Sequence, residues 1–316
     1  MVNFFTFLVQ GIATGAVYSL VALGFVIIFR GTKVLNFAQG AFMLFGAFLV
    51  FNVSRTWGIN YWVALLLTAL TMGVLGFLLE ATVLRKLRNR PTFTVIMATL
   101  GVAIATEQVC MAIWGTDPLP LNDPMGLSFT KIGGVPVTLV DVVTLITAAI
   151  IASGLLLFFA KSRMGTAMQA TALDPEAAIA QGINPKVVYG LSWGIAAAIA
   201  TFAGVFLSSG NGRNVSPTLL QIALTAVPAA ILGGLDSTKG AIVGGMVIGV
   251  AQQLMFGYQI DLGNWLGRTI NFTIGNFHYK AGLGPNFHLV FPYMIMVAIL
   301  LIRPYGVFGT KEVRRV

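Results

Sequence analysis

The sequence predicts an all-α polytopic transmembrane bundle of about eight to nine membrane segments, some of them broken or re-entrant. Three observations predict it. The chain is 57% hydrophobic and only 9% charged, with mean hydropathy +0.88, whereas a soluble domain carries about 25% charged residues. Apolar runs recur along its length, at roughly 4–29, 34–53, 61–84, 93–114, 138–160, 189–209, 218–234, 240–258 and 288–302. The remaining charges are sorted by side. With the N-terminus outside, 14 of the 19 Lys and Arg fall in inner turns and 5 in outer loops, the bias that keeps basic loops cytoplasmic. The chain therefore reads as one integral membrane domain over 1–316, with its C-terminus cytoplasmic.

The first segment turns apolar by Phe4 with no basic stretch ahead of it, so it reads as a retained span, not a cleaved signal. Gly11, Gly15 and Gly24 within it suit close helix packing in lipid. The second segment follows the charged turn Arg30-Gly-Thr-Lys33 and holds Asn36-Phe-Ala-Gln-Gly40. The amides of Asn36 and Gln39 need partners in lipid. A hydrogen bond between helices or the wall of a wet path would supply them, with Gly40 giving room. In the third segment Glu80 lies near Arg85 and can reach the cytoplasmic interface.

The fourth segment carries the sharper signal, Glu107-Gln108. A carboxylate inside a span is costly and faces the bundle or water. Helix-packing partner, translocation-path residue and proton carrier are all open for Glu107. Cys110, the single Cys, lies in the same run, so no intrachain disulfide forms. The long outer loops, about 115–137 and 259–287, hold the Pro, Gly, Asn and Asp that favour turns. Trp57, Tyr61, Trp62, Trp114 and Trp265 fall near outer boundaries, as an aromatic belt would. The runs 218–234 and 288–302 are short for full spans and read as broken or re-entrant. Gln221, Gln252 and Gln253 are weaker candidates for the path. His278 and His288 have no acidic or Cys partner at ligand spacing and read as structural, with no metal site.

Between the fifth and sixth segments the loop 161–188 contains Asp174-Pro-Glu-Ala-Ala-Ile-Ala-Gln-Gly182-Ile-Asn184. This spacing predicts a capped helix of about two turns. Asp174 caps its N-terminus, Pro175 suits the first helical position, Glu176 complements the dipole and Gly182 ends it. It fits a connector or a surface presented to another protein.

The net charge of +9 does not point to nucleic acid, because the basic residues flank spans. No phosphate loop occurs: the chain has no Gly-Lys pair. It is not expected to be an enzyme or to hold a cofactor. If transport here uses ATP, another chain must bind it.

Several runs resemble one family. Gly15–Phe29 (GAVYSLVALGFVIIF) and Val34–Gly40 (VLNFAQG) are similar to the opening of the branched-chain amino acid ABC importer permeases, the smaller of their two permease types. Arg163–Ala170 (RMGTAMQA) with Asp174–Asn184 resembles their cytoplasmic loop. Ala230–Gly245 (AILGGLDSTKGAIVGG) looks like their late glycine-rich pair, and Leu301–Gly309 (LIRPYGVFG) their ending. The resemblance implies a second, related permease, two ABC ATPase subunits and a soluble substrate-binding protein as partners. It implies that the loop helix docks on an ATPase, through Asp174, Pro175, Glu176, Ala177, Ala178 and Gly182, with Ile183 and Asn184 beside them. The outer stretch 259–287, with Asn271, Asn276, His278 and Lys280, looks longer than the family's. Relatives also carry urea or short amides. A stand-alone secondary transporter coupled by Glu107 and a passive channel are the rival classes.

Overall fold

The computed structural model describes residues 2–309 except 89, 122, 127, 133, 211, 212, 270, 275, 276, 281, 282 and 285. Helices α1 (Val2–Thr32), α2 (Gln39–Phe51), α3 (Tyr61–Thr82) and α4 (Thr92–Trp114) come first. A hairpin of β1 (Phe129–Ile132) and β2 (Val135–Thr138) leads into α5 (Leu139–Lys161). Two short helices, α6 (Arg163–Leu173) and α7 (Pro175–Ala180), precede α8 (Pro185–Ser208). Then come α9 (Thr218–Thr225), α10 (Val227–Gly233) and α11 (Thr238–Thr269), a second hairpin of β3 (Asn271–Ile274) and β4 (Phe277–Lys280), and α12 (Phe287–Ile302). Both hairpins are antiparallel, with Phe129 opposite Thr138 and Asn271 opposite Lys280. They mark one end of the bundle; α6 and α7 mark the other. Among the described residues α1, α3, α4, α5, α8 and α11 are long and apolar enough to cross a membrane.

Helix α1 is the axis, its span 83% buried. It lies tightly along α11 because Gly15, Gly245 and Gly249 remove side chains at the contact: a Cβ on Gly15 would sit 2.9 Å from the Met246 backbone. Small residues are how backbones approach in lipid, where apolar burial alone does not drive helices together. Ser19 seals the seam, donating to the carbonyls of Gly15 (2.8 Å) and Ile242 (2.9 Å). A second tight pair joins α3 and α8. The core around α1 includes Leu20, Leu23, Ile27, Phe42, Met43, Trp193 and Phe206.

Helix boundaries depart from the sequence reading where polar side chains intervene. The second segment begins as helix only at Gln39, because the Asn36 carboxamide accepts the Ala38 N–H at 2.9 Å and closes a turn ahead of it. At its other end a π-helical stretch continues to Thr56. Helix α11 runs to Thr269, well past 258, so much of the expected outer loop 259–287 is helix. Its polar outer turns lower the hydropathy without breaking the backbone. Asn276 lies outside the described residues, as do the side chains of Asn271, His278 and Lys280.

The run 218–234 is broken, one of the forms expected for it. Pro228 has no N–H for the Leu224 carbonyl, and the ladder fails at Ala226 between α9 and α10. Beyond α12, Val307 and Phe308 donate to the Leu232 and Gly233 carbonyls at 2.8 and 3.2 Å, clasping the end of α10. Gly234 and Gly306, at φ 97° and 78°, provide the left-handed turns this needs.

Candidate functional site

The starts of α6, α7 and α8 and the end of α7 are all capped, which favours a defined backbone in this loop. Ser162 accepts the Gly165 N–H at 2.8 Å and starts α6. Gln169 ties α6 back to α5 by donating to the Phe159 carbonyl at 2.8 Å. Asp174 accepts the N–H groups of Glu176 and Ala177, both at 3.0 Å, with Pro175 following in the first helical position. At the far end Ile183 donates to Ala178 O (3.0 Å) and Gly182 to Ile179 O (2.9 Å). Those two bonds form a Schellman motif with Gly182 left-handed at φ 79°. Asn184 then accepts the Lys186 N–H at 3.0 Å and starts α8.

Of α7 only Ala178 is buried; Asp174, Pro175, Glu176, Ala177 and Gly182 are exposed and Ile183 is half-buried. Leu173 and Ile179 project at 87% and 58% exposure. Leu173 ends α6 and Ile179 lies on α7, so two bare apolar side chains flank the acidic cap, a surface suited to docking.

Behind it lies a charged clamp. Glu80 is buried within the protein, its side chain 3% exposed. Its carboxylate accepts from Arg85 Nη2 at 2.6 Å and from Arg88 Nη2 at 3.0 Å. Arg85 also donates to the Lys186 carbonyl at 3.2 Å, and the Arg88 guanidinium sits 3.8 Å over the Tyr189 ring. Lys186 and Tyr189 belong to the first turns of α8, so the clamp binds the end of α3 to the helix that α7 enters.

Asn36, Gln39 and Gly40 form one cluster in the core. Both amides are fully buried; Gln39 accepts from Asn36 Nδ2 at 3.4 Å and donates to Ala196 O of α8 at 3.3 Å. Thr99 of α4 accepts the Phe37 N–H at 3.3 Å. Gly40 packs its backbone on Leu220 and Ala223 of α9. Gly24 leaves the space that the Gln39 amide fills. Gly24→Val is therefore expected to dislodge Gln39 and cost about 1–3 kcal/mol, measured as a lower thermal midpoint in detergent. An unchanged midpoint would refute this packing account.

Glu107 and Gln108 lie elsewhere, about two turns along α4 from Thr99. Glu107 is half-buried, without an ion pair among the described residues, and Gln108 is exposed. The pentapeptide Gly190-Leu-Ser-Trp-Gly194 has the spacing of a hydrolase elbow. Here, however, Ser192 is fully buried in mid-helix and donates to the Val188 carbonyl at 2.9 Å. Among the described residues no group of three or more His, Cys, Asp or Glu could hold a metal ion.

The family model described as branched-chain amino acid transport system, permease component, matches residues 7–300. The chain belongs to the branched-chain amino acid transport permease family. BraD of Pseudomonas aeruginosa, a high-affinity branched-chain amino acid transport system permease protein, is 26% identical over 98% of this chain and 97% of its own. LivH of Escherichia coli K12, described in the same terms, is 26% identical over 97% and 96%. LivM of the same organism is 25% identical over 76% of this chain and 61% of its own. This permease thus matches the smaller type end to end and the larger type only in part, as its opening motif implied.

Two features of the permease escaped the sequence reading. The burial of Glu80 depends on where α8 packs, which local spacing does not encode. Helix α6 was hidden because its polar, small-residue composition carries no membrane signal.

Proposed function

We propose that this permease is the transmembrane subunit of an ATP-driven importer for branched-chain or other apolar amino acids. It sits in a bacterial-type inner membrane with α7 on the cytoplasmic side. It pairs with a second, related permease, two ABC ATPases that bind the ATP, and a soluble binding protein that delivers the solute. The observation that carries this reading is the α7 helix, capped at both ends, with Ile179 exposed on it and Leu173 exposed at the end of α6. ATPase closure pushes α7; the Asp174–Gly182 lever passes the displacement to α8, and the Glu80 clamp passes it to α3. The bundle then alternates between outward and inward openings.

Uptake of labelled leucine, urea and a simple amide in cells carrying the partner genes tests this. Each solute is measured with and without an ATPase subunit disabled in its phosphate loop. Leucine accumulation that vanishes with the ATPase supports the reading; accumulation of urea or the amide instead moves the substrate class. Accumulation that persists without ATP hydrolysis overturns it. The unpaired carboxylate of Glu107 favours one other reading, a secondary transporter driven by an ion gradient. Loss of pH-dependent, ATPase-independent uptake in Glu107→Gln would support that alternative.

A further inference from the structure

A second polar cluster sits where α9 breaks from α10. Thr225, the last residue of α9, has its Oγ1 2.7 Å from the Ile222 carbonyl and 3.0 Å from the Tyr18 hydroxyl of α1. Gln252 of α11 lies near the same hydroxyl. All three residues are at least nine-tenths buried. Thr225 is the donor to both, its one proton shared between the Ile222 carbonyl and the Tyr18 hydroxyl. The Gln252 carboxamide oxygen has no hydrogen-bond partner among the described residues, at 6% residue exposure.

An orphaned buried acceptor costs about 1–3 kcal/mol. Its neighbours do not share the defect. One residue along, Gln253 donates to Gln10 of α1 at 3.1 Å; seven along, Gln259 accepts the His288 N–H of α12 at 3.1 Å. These pairs make a polar seam up α11 from the helix break towards the hairpin end. Among the described residues, the Gln252 oxygen is the one fully buried polar atom of this seam without a partner. Discontinuous helices are where membrane transporters expose polar groups to solute.

We propose that the seam at Tyr18, Thr225 and Gln252 is a polar step of the solute path, closed in this conformation. The Gln252 oxygen accepts a hydrogen bond from the ammonium group of the amino acid in transit. The inference rests on the importer reading above and names a contact for its solute. An ammonium offers three donors and no acceptor, which suits an oxygen with no other partner. A neutral amide is also an acceptor weak enough to let go, whereas a carboxylate at this depth would carry a large desolvation cost.

Gln252→Leu tests it, because a structural role and a transport role predict opposite results. Leucine has nearly the same size and removes the orphan, so as a structural change it is neutral or stabilising. The complex with its partner subunits is reconstituted in liposomes, and labelled leucine moved per ATP hydrolysed is measured beside the thermal midpoint. We expect an unchanged or higher midpoint and at least a fivefold fall in leucine moved per ATP, with Gln252→Met behaving alike. Wild-type leucine per ATP in both variants would overturn the proposal, as would a lower midpoint with loss of assembled complex in both. A wild-type complex without ATP-dependent leucine uptake would instead overturn the importer reading, and this inference with it.

Discussion

Gly182→Val is expected to uncouple ATP hydrolysis from uptake while the protein still inserts and folds. Nothing lies within 4 Å of a Cβ at this position, so no clash drives the effect. The backbone does: Gly182 stands at φ 79°, where a β-branched residue costs about 1–3 kcal/mol. The cheapest relief is to open the Schellman motif, freeing the Ala178 and Ile179 carbonyls and loosening α7 from α8. A loosened lever absorbs ATPase motion. Leucine moved per ATP should fall about fivefold or more, a loss of roughly 1 kcal/mol in coupling. Gly182→Asn, which tolerates the left-handed region, should stay close to wild type. Undiminished uptake in the valine variant would remove the lever from the mechanism.

Glu80→Gln carries the second large effect. It strips the charge from a buried carboxylate and leaves two guanidinium groups facing a neutral amide. Breaking a fully buried pair costs about 3–5 kcal/mol. Arg85 and Arg88 are 29% and 36% exposed, so water recovers part of that, and about 2 kcal/mol is the expected loss. The thermal midpoint of the purified permease should drop accordingly, and Arg88→Met combined with Glu80→Gln should cost less than the two changes summed. A strictly additive double variant would show that the groups act independently.

Periodicity and hydropathy made the long spans legible, and the chemistry of caps made α7 legible. Asp174, Pro175 and Gly182 each have a local, short-range preference that tertiary packing does not override. The features that stayed hidden depend on contacts between distant segments. Asn36 was read inside a helix, yet it closes a turn before α2 because Gln39 must reach α8 across the space left by Gly24. Glu80 was read as lying near Arg85, but its burial, with Arg85 and Arg88 held against the first turns of α8, was not legible. The outer turns of α11 were read as loop because polarity at the edge of a membrane resembles a loop on a hydropathy scale. Of the interior polar residues, Asn36, Gln39 and Gly40 converge, while Glu107 and Gln108 stand apart on α4.

The clasp of Val307 and Phe308 on α10 also sets a timetable for synthesis. The carbonyls it satisfies, on Leu232 and Gly233, leave the ribosome long before their donors. The gap of 75 residues, from 232 to 307 and from 233 to 308, corresponds to about 4–15 s at ordinary elongation rates. Throughout that interval the broken helix can be threaded and inserted but not fastened. Its final geometry is settled only when Val307 and Phe308 emerge, well after the helix they fasten.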